Sequence, residues 1–192
     1  MSLTLRQSWV ALRLLVVMTV LLGIVYPLAV WAVGRAVPAR ADGSFVTASD
    51  GRVVGSSLIG QSFSDPRWFW PRPSAAGKGY DALSSSGSNL SASNPDQVKA
   101  VGDRKAAAAA ADGVAPASVP PDAVTASGSG LDPDISPEYA KEQAARVAKA
   151  RNLSLASVLA LVDASTTGRT LGFMGEPRVN VLQLNLALEQ LR

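Results

Sequence analysis

Residues 14–34 read LLVVMTVLLGIVYPLAVWAVG, a run of 21 residues without a charged side chain. As a helix rising about 1.5 Å per residue, such a run reaches roughly 31 Å, enough to cross a hydrocarbon core of about 30 Å. Trp9 and Trp31 stand 22 residues apart. That is about 33 Å of helix, which sets one indole at the headgroup level of each interface. Arg13 opens the run, where its aliphatic stem can follow lipid while the guanidinium reaches the headgroups. Trp9, Arg13, Tyr26 and Trp31 are therefore the candidate anchor residues. Pro27 predicts a kink of the kind transmembrane helices tolerate.

Arg6 and Arg13 precede the run and Arg35 and Arg40 follow it, so positive charge orients it only weakly. Long domains translocate largely regardless of charge. The simplest arrangement is a short cytoplasmic N-terminus over 1–13, a membrane helix over 14–34 and one extracytoplasmic domain over 35–192. A cleaved secretory signal is the competing reading, with Ala39-Arg40-Ala41 as the cleavage site. The apolar run exceeds the roughly 7–15 residues of such signals.

The 192-residue chain has 18 Lys+Arg against 15 Asp+Glu, and neither His nor Cys. Zinc, haem and redox-thiol sites need imidazole or thiolate, so composition excludes them. Nucleophile systems that use His or Cys go with them, leaving Ser/Lys or carboxylate pairs. The net charge of +3 is not clustered, which argues against nucleic-acid binding. The overall hydrophobic content of 47% misleads, because the apolar run contributes much of it.

From residue 35 onward, 158 residues carry 16 basic and 15 acidic side chains, with Ala, Ser and Gly dominant. That length suffices for one folded domain. Residues 84–94, SSSGSNLSASN, have the composition of a flexible linker. Asn94, Pro95 and Gln97 then predict a capped helix running through the alanines to Asp112, with Gly113 ending it. Ser136, Pro137 and Glu138 predict a second helix to about Arg151. Ser154 caps a third, with Leu155, Val158, Leu159 and Val162 at helical spacing. Short strands are expected at 45–47, 53–58 and 169–174, and the C-terminus as a brief strand passing into a helix near Leu182. The fold class is α+β: one N-terminal transmembrane helix followed by one mixed domain.

Motifs for chemistry fail on inspection. Gly77-Lys78-Gly79 lacks the earlier glycine and following hydroxyl of a phosphate-binding loop, and Gly128-Ser129-Gly130 lacks the third glycine of a dinucleotide fingerprint. Asp132 and Asp134 begin like a calcium loop whose glycine and closing Glu are missing, and fit a rigid lead-in to the second helix. Membrane-anchored Ser/Lys hydrolysis is a remote alternative. Its candidate bases, Lys78, Lys99, Lys105, Lys141 and Lys149, sit among polar or small neighbours that suggest solvent exposure.

Residues 67–75, RWFWPRPSA, carry three consecutive aromatics. Whatever the backbone, Trp68, Phe69 and Trp70 point different ways, so one apolar face does not easily hide all three. Local core around a Pro-rich turn and a docking surface for a partner or the bilayer both fit; Trp and Arg favour interfaces.

Together with the single N-terminal span, several segments resemble the C subunit of the bacterial Kdp-type potassium-transporting ATPase. They are Gly60-Gln61-Ser62-Phe63, Trp70-Pro71-Arg72-Pro73-Ser74-Ala75, Ser88-Asn89-Leu90, Val119-Pro120-Pro121-Asp122 and TASGSGLDP over 125–133. Gln143 with Arg146-Val147-Ala148, and PRVNVLQLNLAL over 177–188, complete the series. The resemblance covers essentially the whole chain, and its specificity lies in order and combination. The family usually has paired glycines before Ser-Asn-Leu, where this chain has Ser86-Gly87.

The resemblance implies a non-catalytic subunit of a potassium pump. Its partners would be a channel-like K+-translocating subunit, a P-type ATPase catalytic subunit and a small accessory peptide. It also implies a catalytic chaperone that raises the ATP affinity of the ATPase subunit, so ATP enters by resemblance only; no cofactor motif is present. The alternative is an exported module guarding the external ion entrance without nucleotide contact. Candidate partner contacts are Trp68, Phe69, Trp70, Arg72, Ser88, Asn89, Ser127, Ser129 and Asp132.

Overall fold

The computed structural model describes residues 2–191. It divides into two units, one ending at Ser44 and one starting at Phe45. In the first, α1 (Leu3–Val20), a π-helical turn (Leu21–Val25) and α2 (Tyr26–Ala36) form one helix of 34 residues. It contains the apolar run whole. Its most apolar window has a mean hydropathy of 2.4 and no part buried inside the protein. A helix apolar all round with no protein cover is built for lipid.

The π turn has a local cause. Pro27 has no N–H, and its ring collides with the carbonyl four residues back, at Gly23. Tyr26 N–H instead reaches the carbonyl of Leu21, five residues back, which widens the turn just ahead of the proline. A single turn, α3 (Pro38–Ala41), follows.

The second unit contains a hairpin, β1 (Phe45–Thr47) with β2 (Val53–Ser56), whose register slips between Val46 and Thr47. Gln61 Nε2 donates to the Val54 carbonyl at 2.8 Å and ties this hairpin to the following loop. Then come α4 (Pro95–Asp112), β3 (Asp134–Ile135), α5 (Pro137–Arg151), α6 (Leu155–Ser165), β4 (Thr166–Thr167), β5 (Arg178–Asn180) and α7 (Val181–Gln190). The short strands form an antiparallel sheet ordered β3-β5-β4, with Val179 facing both Ile135 and Thr166.

Each helix begins where its cap stands. Asn94 Oδ1 accepts from the N–H groups of Asp96 and Gln97, Ser136 Oγ from Tyr139, Ser154 Oγ from Ser157 and Asn180 Oδ1 from Gln183. Gly113 at φ 70° and Asn152 at φ 56° end α4 and α5 in the left-handed region.

The core is small-grained. Ala140, Ala144, Val147 and Ala148 line the buried side of α5, while Val158 and Val162 of α6, Val179 of β5, and Leu184 and Leu188 of α7 supply the bulk. Alanines let α5 and α6 approach closely, so shape matters more here than hydrophobic mass.

Two expectations need correction. Residues 169–174 do not form a strand: Leu171 and Gly172, at φ 54° and 83°, turn the chain back so that only Thr170 and Met174 pair. Residues 84–94 are irregular but not a free linker. Ser86 N–H and Ser85 Oγ both donate to the Ser129 carbonyl, at 3.0 and 2.9 Å.

Ala144 is fully buried. Ala144→Leu should therefore destabilise the domain by about 1–3 kcal/mol through overpacking. Chemical denaturation followed by tryptophan fluorescence measures this, and an unchanged midpoint would mean that α5 and α6 are not closely packed.

Candidate partner-docking surface

The aromatic segment is held by side chains in place of a neighbouring strand. Phe69 N–H donates to Asn185 Oδ1 at 2.8 Å and its carbonyl accepts from Asn185 Nδ2 at 3.0 Å. Trp70 does the same with Gln143, at 2.6 and 3.1 Å. An amide side chain carries both a donor and an acceptor, so each satisfies one residue's backbone completely.

Arg146, one turn along α5 from Gln143, locks the arrangement. Its Nε meets Asp112 Oδ1 at 2.7 Å, with the two side chains only 7% and 0% exposed. Nη1 donates to the carbonyls of Pro66 and Trp68 at 2.8 and 3.0 Å, and Nη2 to Gln143 Oε1 at 2.7 Å. The guanidinium carbon lies 3.8 Å from the centre of the Trp70 ring, a cation–π contact. Arg151 stacks likewise on Trp68 at 4.1 Å.

The candidate contact residues thus separate. Phe69 is fully buried in the core and is no surface contact. Trp68 and Trp70 are half-buried, each with one face under a guanidinium. Arg72, Ser127, Ser129 and Asp132 come together elsewhere. Arg72 Nη1 pairs with Asp132 Oδ2 at 2.8 Å, both partly exposed. Ser127 Oγ and Ser129 Oγ accept from the N–H groups of Gly130 and Leu131 at 2.9 and 3.1 Å, making a self-bonded turn. Ser74 Oγ donates to the Gly130 carbonyl at 2.6 Å. At Gly130 a Cβ would lie 2.6 Å from Ala76 N and from the Ser86 carbonyl, so only glycine fits. Ser88 and Asn89 are exposed beside this junction, following Gly87, whose neighbour is Gly128.

Several ionisable groups are shifted. Burial pushes the Tyr80 and Tyr139 phenols well above their ordinary range, with nearby carboxylates adding to it. The Tyr80 hydroxyl donates to the Arg72 carbonyl at 2.6 Å. Glu142 is raised by desolvation first and then by Asp112 and Asp122; its Oε1 is buried without a hydrogen-bond partner. Asp134 is raised by desolvation, opposed by Arg178.

These groups do not assemble a reaction centre. The hydrogen bond from Lys141 to Asp163 raises its pKa, opposite to what a Ser/Lys base requires. Lys78, Lys99 and Lys149 are exposed and Lys105 is half-buried. Asp132 and Asp134 are engaged by Arg72 and Arg178. Among the described residues no cluster of three Asp, Glu, His or Cys could hold a metal ion.

The roles of Gln143, Arg146, Asn185 and Asp112 are not evident from the sequence around each of them. The available signal was polarity inside apolar stripes: Gln143 beside Ala140 and Ala144, and Asn185 between Leu184 and Leu188.

Comparison with known proteins matches almost the whole chain to one family. The family model described as "K+-transporting ATPase, c chain" matches residues 8–190. A protein of Kineococcus radiotolerans named "Potassium-transporting ATPase KdpC subunit" is 64% identical over 184 residues, 96% of this chain and 93% of the relative. Proteins of the same name from Methylococcus capsulatus and Citrifermentans bemidjiense are 54% and 52% identical. The first alignment covers 95% of this chain and 96% of the relative. The second covers 93% and 94%.

Two outcomes are expected. Arg146→Met leaves Asp112 charged and unpaired in the interior and should cost about 3–5 kcal/mol in denaturation, much of it recovered by adding Asp112→Leu. Glu142→Gln should raise the melting temperature at neutral pH. The folded pKa of Glu142 lies above its ordinary 4.5, so ionisation costs stability as pH rises through that window. The gain should vanish in acid below it, and an equal gain at both ends would rule out ionisation as the cause.

Proposed function

The chain belongs to the family of K+-transporting ATPase c chains, and on that premise we propose that it is the accessory, non-catalytic subunit of an ATP-driven potassium uptake pump. One helix holds it in the cell membrane with the N-terminus cytoplasmic and the folded domain outside. There the domain docks on the channel-like K+-translocating subunit and the P-type ATPase subunit, alongside the small accessory peptide, and stabilises the assembly. Its chaperone effect on the ATP affinity of the ATPase subunit is a coupling between distant sites.

The observation that carries this reading is where the strongest polar groups are spent. Arg146, Gln143 and Asn185 hydrogen-bond the domain's own loops. What remains outward is shaped surface, the requirement for docking.

Neither the acid-lined groove nor the serine turn suits a nucleotide. The broad groove of about 930 Å³ is lined by Asp122, Asp132, Asp134, Glu138 and Glu176 against Arg72 and Arg178, a balance that repels a triphosphate. The Ser127–Ser129 turn spends the N–H groups of Gly130 and Leu131 on its own hydroxyls. The same acidic lining favours a second reading, a guard that concentrates cations at the external ion entrance.

The test has two arms. In intact spheroplasts, external protease should digest the domain; protection would overturn the exported placement. Complex assembled without this chain should show a raised KM for ATP in K+-stimulated hydrolysis. An unchanged KM together with altered K+ dependence would favour the guard.

A further inference from the structure

Between β4 and β5 the chain makes a second hairpin that the core does not use. Thr170 and Met174 exchange backbone hydrogen bonds, each 2.9 Å, and the Arg169–Glu176 ion pair at 2.5 Å braces the neck. At its tip Leu171, Phe173 and Met174 are 79%, 72% and 51% exposed. Leu171 holds φ 54°, a region that a branched side chain rarely adopts. The backbone accepts that conformation while the side chain it displays touches little of its own protein. Strain kept in place by a braced neck is the kind of feature that serves contact with something else.

We propose that this tip, residues 171–174, is a docking knob that seats in an apolar pocket, rimmed by basic side chains, on another subunit of the same pump. The proposal rests on the reading of this chain as a pump subunit. The tip supplies three large apolar side chains on a short, braced support, the form of an interface anchor. The second leg of the hairpin, through Glu176 and Pro177, continues into the acid-lined groove. Within that lining Asp132, Asp134 and Glu176 are paired with Arg72, Arg178 and Arg169, and Asp122 and Glu138 leave it net negative, which calls for a positively charged partner surface beside the pocket.

A bilayer is the wrong occupant. Membrane-surface segments combine apolar residues with free Lys or Arg for anionic headgroups. Here Arg169 is paired with Glu176 and Arg178 with Asp134. Residues 166–178 also hold neither Trp nor Tyr, the side chains that favour the headgroup level.

The test uses full-length chain in the assembled complex. Leu171→Ser with Phe173→Ser should lower retention of the chain by the other subunits about tenfold or more, with an unchanged melting temperature. Because the chain has no cysteine, a photo-crosslinker attached through M174C reports the occupant directly. The expected product is an adduct with one of the large membrane subunits. Lipid adducts would assign the tip to the bilayer, and a crosslinked pair of this chain to a second copy; either overturns the proposal. So do normal retention of the double variant or crosslinker that labels nothing. Failure of the wild-type chain to co-purify would instead sink the subunit reading itself, which separates the two failures.

Discussion

A guanidinium out of water must be surrounded, and the folded domain is arranged around meeting that demand at Arg146. Removing a charge from solvent costs several kcal/mol unless a counter-charge and further hydrogen bonds replace the lost water. Asp112 supplies the charge from the end of α4, Gln143 an oxygen from α5, and Pro66 and Trp68 two carbonyls from the loop between them in space. The Trp70 ring closes the remaining face. One side chain thereby fixes the ending of α4, a buried side of α5 and the path of a segment without regular structure. Such a centre contributes uniqueness more than net stability, since each partner also loses water.

The sheets are minimal, and the amides of Gln143 and Asn185 do what longer strands do elsewhere. Each offers the 69–70 backbone one donor and one acceptor from a helix. The loop is consequently as well satisfied as a ladder strand while remaining free to turn at Pro71 and Pro73. Its order depends on α5 and α7, so the segment and both helices must come apart together. That coupling explains how a chain so rich in Ala, Ser and Gly presents firm surfaces.

Features set by near neighbours were legible. Asn94, Ser136 and Ser154 announced three helices, Gly113 ended one, and the strand-to-helix change near Leu182 falls at Asn180 and Val181. Distant partners were not. The bonds of Asn185 to Phe69 span 116 positions and those of Gln143 to Trp70 span 73, and no periodicity encodes them. Phe69 therefore looked like one of three equivalent aromatics, although its backbone is gripped from α7 and its ring is core. Residues 169–174 misled for the opposite reason: their aromatic and β-branched content suggests a strand, but the backbone signs at Leu171 and Gly172 decide the path. The junction of Arg72, Ser127, Ser129 and Asp132 was partly visible as named residues, but not as one self-bonded turn.

The widened turn ahead of Pro27 has its own geometric result. One additional residue in a helical turn shifts the phase of everything beyond it by about 100°. A stripe of side chains followed upward from Trp9 therefore does not continue past Val25 on the same side. The helix is two successive cylinders with different compass bearings. A neighbouring helix lying along the first would lose its line on the second, so each half is suited to a different companion.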